Sequence, residues 1–446
     1  MGAASDILRF TNDPKKLVHS RCNRLASDVR VWQSRTMSSS NPLHIARTLT
    51  LPNGIVLKNR IGKAPLTEGL ADALNRATER HVRLYGRWAA GGAAVVVTGN
   101  VQIDRRYLER PGNVAIDGNG GHDALRAYAQ AGTANGTQLW MQINHPGRQT
   151  PRRVCEQPVA PSAVPLALPE SAFAHPRAMT ADEVADVPRR FAEVARIARE
   201  AGFTGVQVHA AHGYLLSQFL TPLVNRREDR WGGDIASRAS LLLEVVRAVR
   251  TATAPDFCIS VKLNSSDFQQ GGFSNEECLM VVKWLGEASV DLIEISGGNY
   301  EKPAMMGSGA KESTVRREAY FLDYARLIKQ AATVPVMLTG GFRTLAAMEA
   351  ALEEGACDMI GLGRPMCVDT DLPNRLLNGE TDRAEAYEER IVPAKAGLGW
   401  FCLQLIAHGD GREPDRALSG DDAIRGYVEN EEKTAAALQG RQGRSD

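Results

Sequence analysis

Residues 205–233 read GVQVHAAHGYLLSQFLTPLVNRREDRWGG, an apolar β-branched run followed by two histidines, a tyrosine and an Arg/Asp-rich turn that closes on Gly232 and Gly233. The run 205–208 has the pattern of a short strand that follows a helix, and His209 stands where it ends. In a strand–helix repeat, the side chains at the C-terminal strand ends converge on one mouth, and such folds place their chemistry there. His209, His212 and Tyr214 therefore belong to a site only if the repeat recurs along the chain.

It does recur. From residue 50 onward, apolar stretches suited to strands lie at 60–64, 93–98, 138–143, 205–208, 257–263, 291–295, 334–339 and 359–362. Helical patterns at 78–90, 122–134, 181–201, 238–251, 275–288, 321–332 and 345–353 separate them. Thr180 before Asp182 and Glu183, and Ser274 before Glu276 and Glu277, have the spacing of helix N-caps. No strand is followed by a Gly-rich dinucleotide turn, so the alternation predicts an α/β fold of the (β/α)8 TIM-barrel type, which also leaves no edge strand. The chain then divides into a polar basic N-terminal extension (1–40), the barrel (41–375) and a C-terminal helical segment (376–446) with one apolar island, GLGWFCLQLI, at 397–406. A proline-rich loop over 144–179 is long enough to cover a site.

Composition narrows the partners. Lys plus Arg number 53 against 52 Asp plus Glu, so no global field recruits nucleic acid or an anionic membrane, and a small-molecule partner is expected. The seven cysteines form no C-x-x-C pair, which disfavours zinc ribbons, iron–sulfur clusters and a disulfide framework and suits a reducing compartment. No apolar run approaches the roughly 18 residues of a membrane span, and no signal-peptide core opens the chain. A soluble cytoplasmic protein is expected. Residues 1–40, where Arg and Lys outnumber Asp6, Asp13 and Asp28, read as an extension, with a mitochondrial presequence as the alternative and Met37 as an internal start.

The strand ends share a plan. They carry Ala64, Pro65, Leu66 and Thr67; Gly99 with Asn100; Gln142 and Asn144; His209, His212 and Tyr214; Lys262; Ser296; Gly340 and Gly341; and Gly363 with Arg364. Glycines and an arginine after the seventh and eighth strands make a phosphate site, because backbone N–H groups approach an oxyanion unobstructed and a guanidinium donates two bonds. A plain left-handed turn beside a surface arginine would look the same. Histidines three apart also suit a metal pair or a core histidine, although no Glu or Cys completes a ligand set. Lys262 at a strand end suits Schiff-base chemistry of a lyase or aldolase kind.

KAPLT (63–67), QLWMQINHPGRQ (138–149), the stretch 209–233, VKLNSSDFQQGGF (261–273), LTGGF (338–342) and DMIGLGRPM (358–366) resemble, in order and spacing, the old yellow enzyme family of flavin-dependent NAD(P)H oxidoreductases over residues 41–410. The resemblance implies FMN in the barrel mouth, NADH or NADPH as reductant, and an electron-poor alkene as substrate. It implies Ala64 to Thr67 beside the flavin ring with Thr67 tuning its potential, Gly99 leaving room for the ring, Gln142 on its pyrimidine edge and Lys262 near its C2 carbonyl. Gly340, Gly341, Gly363 and Arg364 would hold the phosphate. His209 and His212 would donate to the substrate carbonyl and Tyr214 would protonate the α-carbon. The chain departs from the family in Lys262 where many relatives have arginine, in Asn144 for an aromatic, and in Glu68, a charge expected near the pocket. The Asn225–Gly233 turn is expected to be structural, held by buried Arg–Asp pairs. Trp400 and Phe401 are expected in the core, over the pocket or at a contact within a homo-oligomer.

Overall fold

Eight strands form where the alternation placed them, each short and buried: β1 (Ile61–Lys63), β2 (Val95–Val97), β3 (Gln138–Asn144), β4 (Gly205–Ala210), β5 (Cys258–Asn264), β6 (Leu292–Ser296), β7 (Val336–Thr339) and β8 (Met359–Leu362). All neighbours pair in parallel, and β8 returns to pair with β1, closing the ring into a (β/α)8 barrel. A computed structural model describes residues 42–303, 318 and 321–442. The extension read over 1–40 lies outside the described residues.

An antiparallel hairpin, Leu49–Thr50 with Val56–Leu57, precedes β1. Its Leu51 and Leu57 pack with Val95, Trp140, Cys258, Leu292, Met337 and Met359, residues at or near the starts of their strands. The hairpin therefore plugs the N-terminal end of the barrel with apolar volume. The C-terminal end is left for polar side chains.

Helices follow the strands in turn: α1 (Glu79–Ala90), α2 (His122–Gly132), α3 (Ala181–Ala201), α4 (Ile235–Ala252), α5 (Asn275–Glu287), α6 (Leu322–Ala331) and α7 (Leu345–Glu353). The Thr180 and Ser274 caps form as full capping boxes with Glu183 and Glu277. The fourth helix begins three residues earlier than its apolar pattern, because the Asp234 side chain accepts from Ser237 N and caps it there. Of two further helices, α8 (Gly397–Gly409) and α9 (Gly420–Gln442), α8 packs on both α9 and α1. The apolar island is thus largely buried within α8, with Leu398 exposed.

Inside the barrel, the two-residue period sorts chemistry by layer. Trp140, Gly205 and Cys258 are register partners at the plugged end, while Gln142 and Gln207 pair one layer higher. His209 pairs with Lys262, and Lys262 with Glu294. The polar layer lies toward the open mouth.

Candidate active site

Two connected hollows occupy the open mouth. A cavity of about 620 Å³ is floored by Gln142, Lys262, His209, His212 and Tyr214. Phe173 of the long loop, Tyr300 of the loop after β6, Phe401 and Leu405 of α8 and Tyr427 of α9 also line it. A niche of about 140 Å³ lies beside it, lined by Gly340, Gly341, Arg343, Gly363 and Arg364. Pro65, Leu66, His212, Lys262 and Arg364 border both, which makes them one trough.

His209, His212 and Tyr214 meet edge to face: ring centroids are 5.3 Å apart for the two histidines and 4.8 Å for His209 and Tyr214. Burial, reinforced by Lys262, pushes both imidazoles well below their ordinary range, so they are neutral at pH 7. Ala211 N donates to His209 Nδ1 (3.3 Å), which leaves the ring proton on Nε2, a donor with no hydrogen-bond partner among the described residues. His212 adopts a left-handed backbone (φ 61°), pinned by its N–H to Asn264 Oδ1, and its Nε2 lies 2.7 Å from Ser296 Oγ. The Tyr214 hydroxyl lies 2.9 Å from that of Tyr300, and burial raises its pKa well above 10.

Four adjacent strands share a polar network. Gln142 Nε2 donates to Gln207 Oε1 (2.8 Å), Gln207 Nε2 to Glu294 Oε2 (2.8 Å) and Lys262 Nζ to Glu294 Oε1 (2.6 Å). Gln142 thereby keeps its carbonyl oxygen as an acceptor toward the cavity. Thr67, also on the cavity wall, accepts from Asn100 Nδ2 at 3.2 Å.

The niche is a backbone cradle. Gly340 and Gly341 have φ of 139° and 90°, values that L side chains avoid, and a Cβ on Gly363 would meet nothing closer than Leu66 at 4.0 Å. Arg364 lies 3.7 Å from Glu388, which also pairs with Arg343. Two guanidinium groups and the glycine turn give the niche the donor set of a phosphate site.

Some expectations need correction. Glu68 is not a pocket charge: its carboxylate is buried in the barrel wall, where it accepts from the Tyr85 hydroxyl and from Gly99 N at 3.0 Å. Gly99 lines neither hollow. A Cβ there would come within 2.0 Å of Glu68 Oε2 and 2.6 Å of Leu66 O, so packing within the wall accounts for the missing side chain. Asp229 is 36% exposed in its pair with Arg227, so that turn is held as much by Arg227 donating to Pro161 O and Met179 O. Trp400 is a core residue that stacks on Tyr387 and donates to Leu418 O, whereas Phe401 reaches the cavity.

Gln207, Glu294, Glu109, Tyr300 and the Arg148–Glu301 pair escaped the sequence reading. The first two sit in apolar strands as V-Q-V and I-E-I, and a polar residue at an inward register position is the signal that finds them. The other residues lie in loops without periodicity. Arg148 donates to Glu301 (2.6 Å) and to Pro165 O (2.8 Å), fastening the proline-rich loop over the cavity. Among the described residues, no group of three or more His, Cys, Asp or Glu could hold a metal, and no helix is long and apolar enough to cross a membrane.

The model of the NADH:flavin oxidoreductase / NADH oxidase family matches residues 48–383. The chain is 38% identical over 386 residues to a NADH-dependent flavin oxidoreductase of Talaromyces variabilis, covering 80% of this chain and 92% of that protein. Among solved structures it resembles the old yellow enzyme homologue of Zymomonas mobilis, with TM-score 0.65 and 25% identity, covering 77% of this chain and 95% of that one. It shares its fold with 2-naphthoyl-CoA reductase at TM-score 0.74 and 24% identity, spanning 82% of this chain and 57% of that longer chain.

Proposed function

We propose, because the chain belongs to the NADH:flavin oxidoreductase / NADH oxidase family, that this flavin-dependent oxidoreductase uses NADH to reduce the C=C bond of α,β-unsaturated carbonyl compounds. FMN is the cofactor of the family, and the residues present suit it: a glycine cradle with two arginines opens onto a trough whose floor offers Gln142 and Lys262. Bound flavin supplies a two-electron carrier between NADH and the alkene. Gly340, Gly341, Gly363 and Arg364 would hold its phosphate, and Ala64 to Thr67 would flank its ring. The free carbonyl of Gln142 would accept from a pyrimidine N–H, and Lys262 would oppose negative charge on the reduced ring.

The carrying observation is the neutral, donor-ready His209 within one ring contact of a protonated Tyr214. His209 Nε2–H donates to the substrate carbonyl and stabilises the enolate as it forms. His212 adds a second donor by exchanging Ser296 for the same oxygen. Tyr214 then delivers a proton to the α-carbon as general acid. The loop held by Arg148 and Glu301, with Phe173 and Phe401, keeps water from the reacting atoms. Anaerobic mixing of the NADH-reduced protein with an enone, a nitroalkene and a maleimide tests the reading. Flavin reoxidation with loss of the alkene is expected; reoxidation by none of the three would overturn it.

A further inference from the structure

Tyr214 does not end the proton path. The Tyr300 hydroxyl lies 2.9 Å from that of Tyr214 and donates to Glu109 Oε1 at 3.2 Å, so three groups from three separate loops form one chain that ends on a carboxyl. Glu109 lines the cavity, as do Tyr214 and Tyr300. Each hydroxyl has a single proton, and that fixes what the chain can do. With Glu109 ionised, Tyr300 gives its proton to the carboxylate and its oxygen accepts from Tyr214. The Tyr214 proton then points away from the substrate. With Glu109 protonated, every bond reverses: Glu109 donates to Tyr300, Tyr300 donates to Tyr214, and the Tyr214 proton is free to face the cavity.

We propose that Glu109, acting through Tyr300, is the proton source that aims and restores the Tyr214 hydroxyl, a role that rests on Tyr214 being the proton donor of the reading above. The step balances. The Tyr214 O–H bond breaks as a C–H bond forms on the α-carbon, whose electron pair was left there by hydride addition at the β-carbon. The Tyr214 oxygen takes the Tyr300 proton, Tyr300 takes the Glu109 proton, and Glu109 takes one from solvent.

The surroundings favour a proton on Glu109. The neighbouring guanidinium of Arg110 is committed elsewhere: its Nε donates to Glu431 Oε1 at 3.0 Å, and both side chains of that pair are buried. Two carboxyl groups therefore share one cation in a largely apolar cavity. Burial raises the Glu109 carboxyl above the ordinary range and outweighs Arg110 and the hydrogen bonds from Thr67 and Tyr300, which oppose the shift, while Glu431 adds to it. The titratable groups facing it are Arg110 on its own loop, Glu431 and Tyr427 on α9, Cys402 on α8, and Tyr300 and Tyr214 across the cavity. None of them is a free cation that would hold Glu109 ionised.

Glu109→Gln and Tyr300→Phe in the flavin-loaded protein test the proposal by two readouts. Infrared difference spectra without any alkene read the carboxyl directly. The wild type should show a protonated carboxyl band that persists to pH above the ordinary carboxyl range and that Glu109→Gln removes and Tyr300→Phe shifts; no such band assignable to Glu109 would overturn the proposal. In stopped flow, each variant should slow reoxidation by an alkene about tenfold to about a hundredfold while NADH reduces the flavin at the wild-type rate. The wild-type reoxidation rate should fall as pH rises through the Glu109 titration, and Glu109→Gln should flatten that fall. The double variant should lose no more than either single one, since both break one chain. Unchanged reoxidation, a pH profile that Glu109→Gln leaves as it was, or additive losses would each overturn the relay. Because the infrared result needs no alkene, it separates failure of the relay from failure of the alkene reading.

Discussion

Lys262 and Glu294 form an ion pair inside the barrel, with Nζ 2.6 Å from Oε1 and side chains 4% and 0% exposed. Removing one partner strands the other as a buried charge, so Glu294→Gln should cost about 3–5 kcal/mol in urea unfolding of the protein. The double variant Lys262→Met/Glu294→Gln should recover part of that loss and still bind flavin more weakly. The pair also bears on Schiff-base chemistry: to attack a carbonyl, Lys262 would have to lose a proton and leave Glu294 alone. Borohydride with a carbonyl substrate should therefore leave Lys262 unmodified, as peptide mass mapping would show.

Tyr214→Phe removes one oxygen from a cavity wall and leaves the ring packed against His209 and Tyr300. Flavin reduction by NADH should proceed at the wild-type rate, whereas reoxidation by an enone should slow by roughly 10²- to 10⁴-fold, the usual contribution of a general acid. Stopped-flow absorbance separates the two halves. Equal slowing of both would assign Tyr214 to flavin positioning.

The barrel was legible because strand and helix periods differ, and eight buried β-branched runs between capped helices admit few folds. The mouth residues were legible for a related reason: strand ends are fixed once the strands are, so His209, Gln142, Lys262 and Arg364 fall together automatically. Partners were less legible. Glu294 was read as part of an apolar strand because one carboxylate among isoleucines does not break the pattern, although its register opposite Lys262 gives it a cation. Glu68 was misplaced because nothing in the sequence marks Tyr85, seventeen residues away and inside α1, as its hydrogen-bond donor. Glu109 and Tyr300 lie in separate loops, and only the folded chain brings them together.

Flavin retention should depend on the niche. Arg364→Ala deletes a guanidinium that borders both hollows, and loss of a charge-assisted bond of about 1.5–3 kcal/mol raises the FMN dissociation constant by about tenfold to about a hundredfold. Gly341→Val forces a β-branched residue to φ near 90° in the backbone of the cradle, so it should bind less flavin than Arg364→Ala. Flavin fluorescence on titration of stripped protein reports both. Wild-type affinity in both variants would remove the phosphate from this niche.

Stability should fall on mild acidification, and the buried imidazoles set the sign. His81 and His145 are 2% and 5% exposed, and burial, the largest cause, lowers each pKa from 6.5 to about 4. Each uses Nδ1 as an acceptor, His81 from Thr78 N in the α1 capping box and His145 from Gly147 N at 3.0 Å, so protonation would break a backbone hydrogen bond as well as bury a charge. Between pH 6.5 and about 4 the unfolded chain binds a proton at each site and the folded chain does not, so stability is complete above 6.5 and declines as pH falls through that window. Fully developed, the loss is on the order of 3 kcal/mol per histidine. The urea midpoint should therefore be lower at about pH 5 than at about pH 7.5, and His81→Asn, which keeps a short acceptor for the cap, should reduce the difference between them.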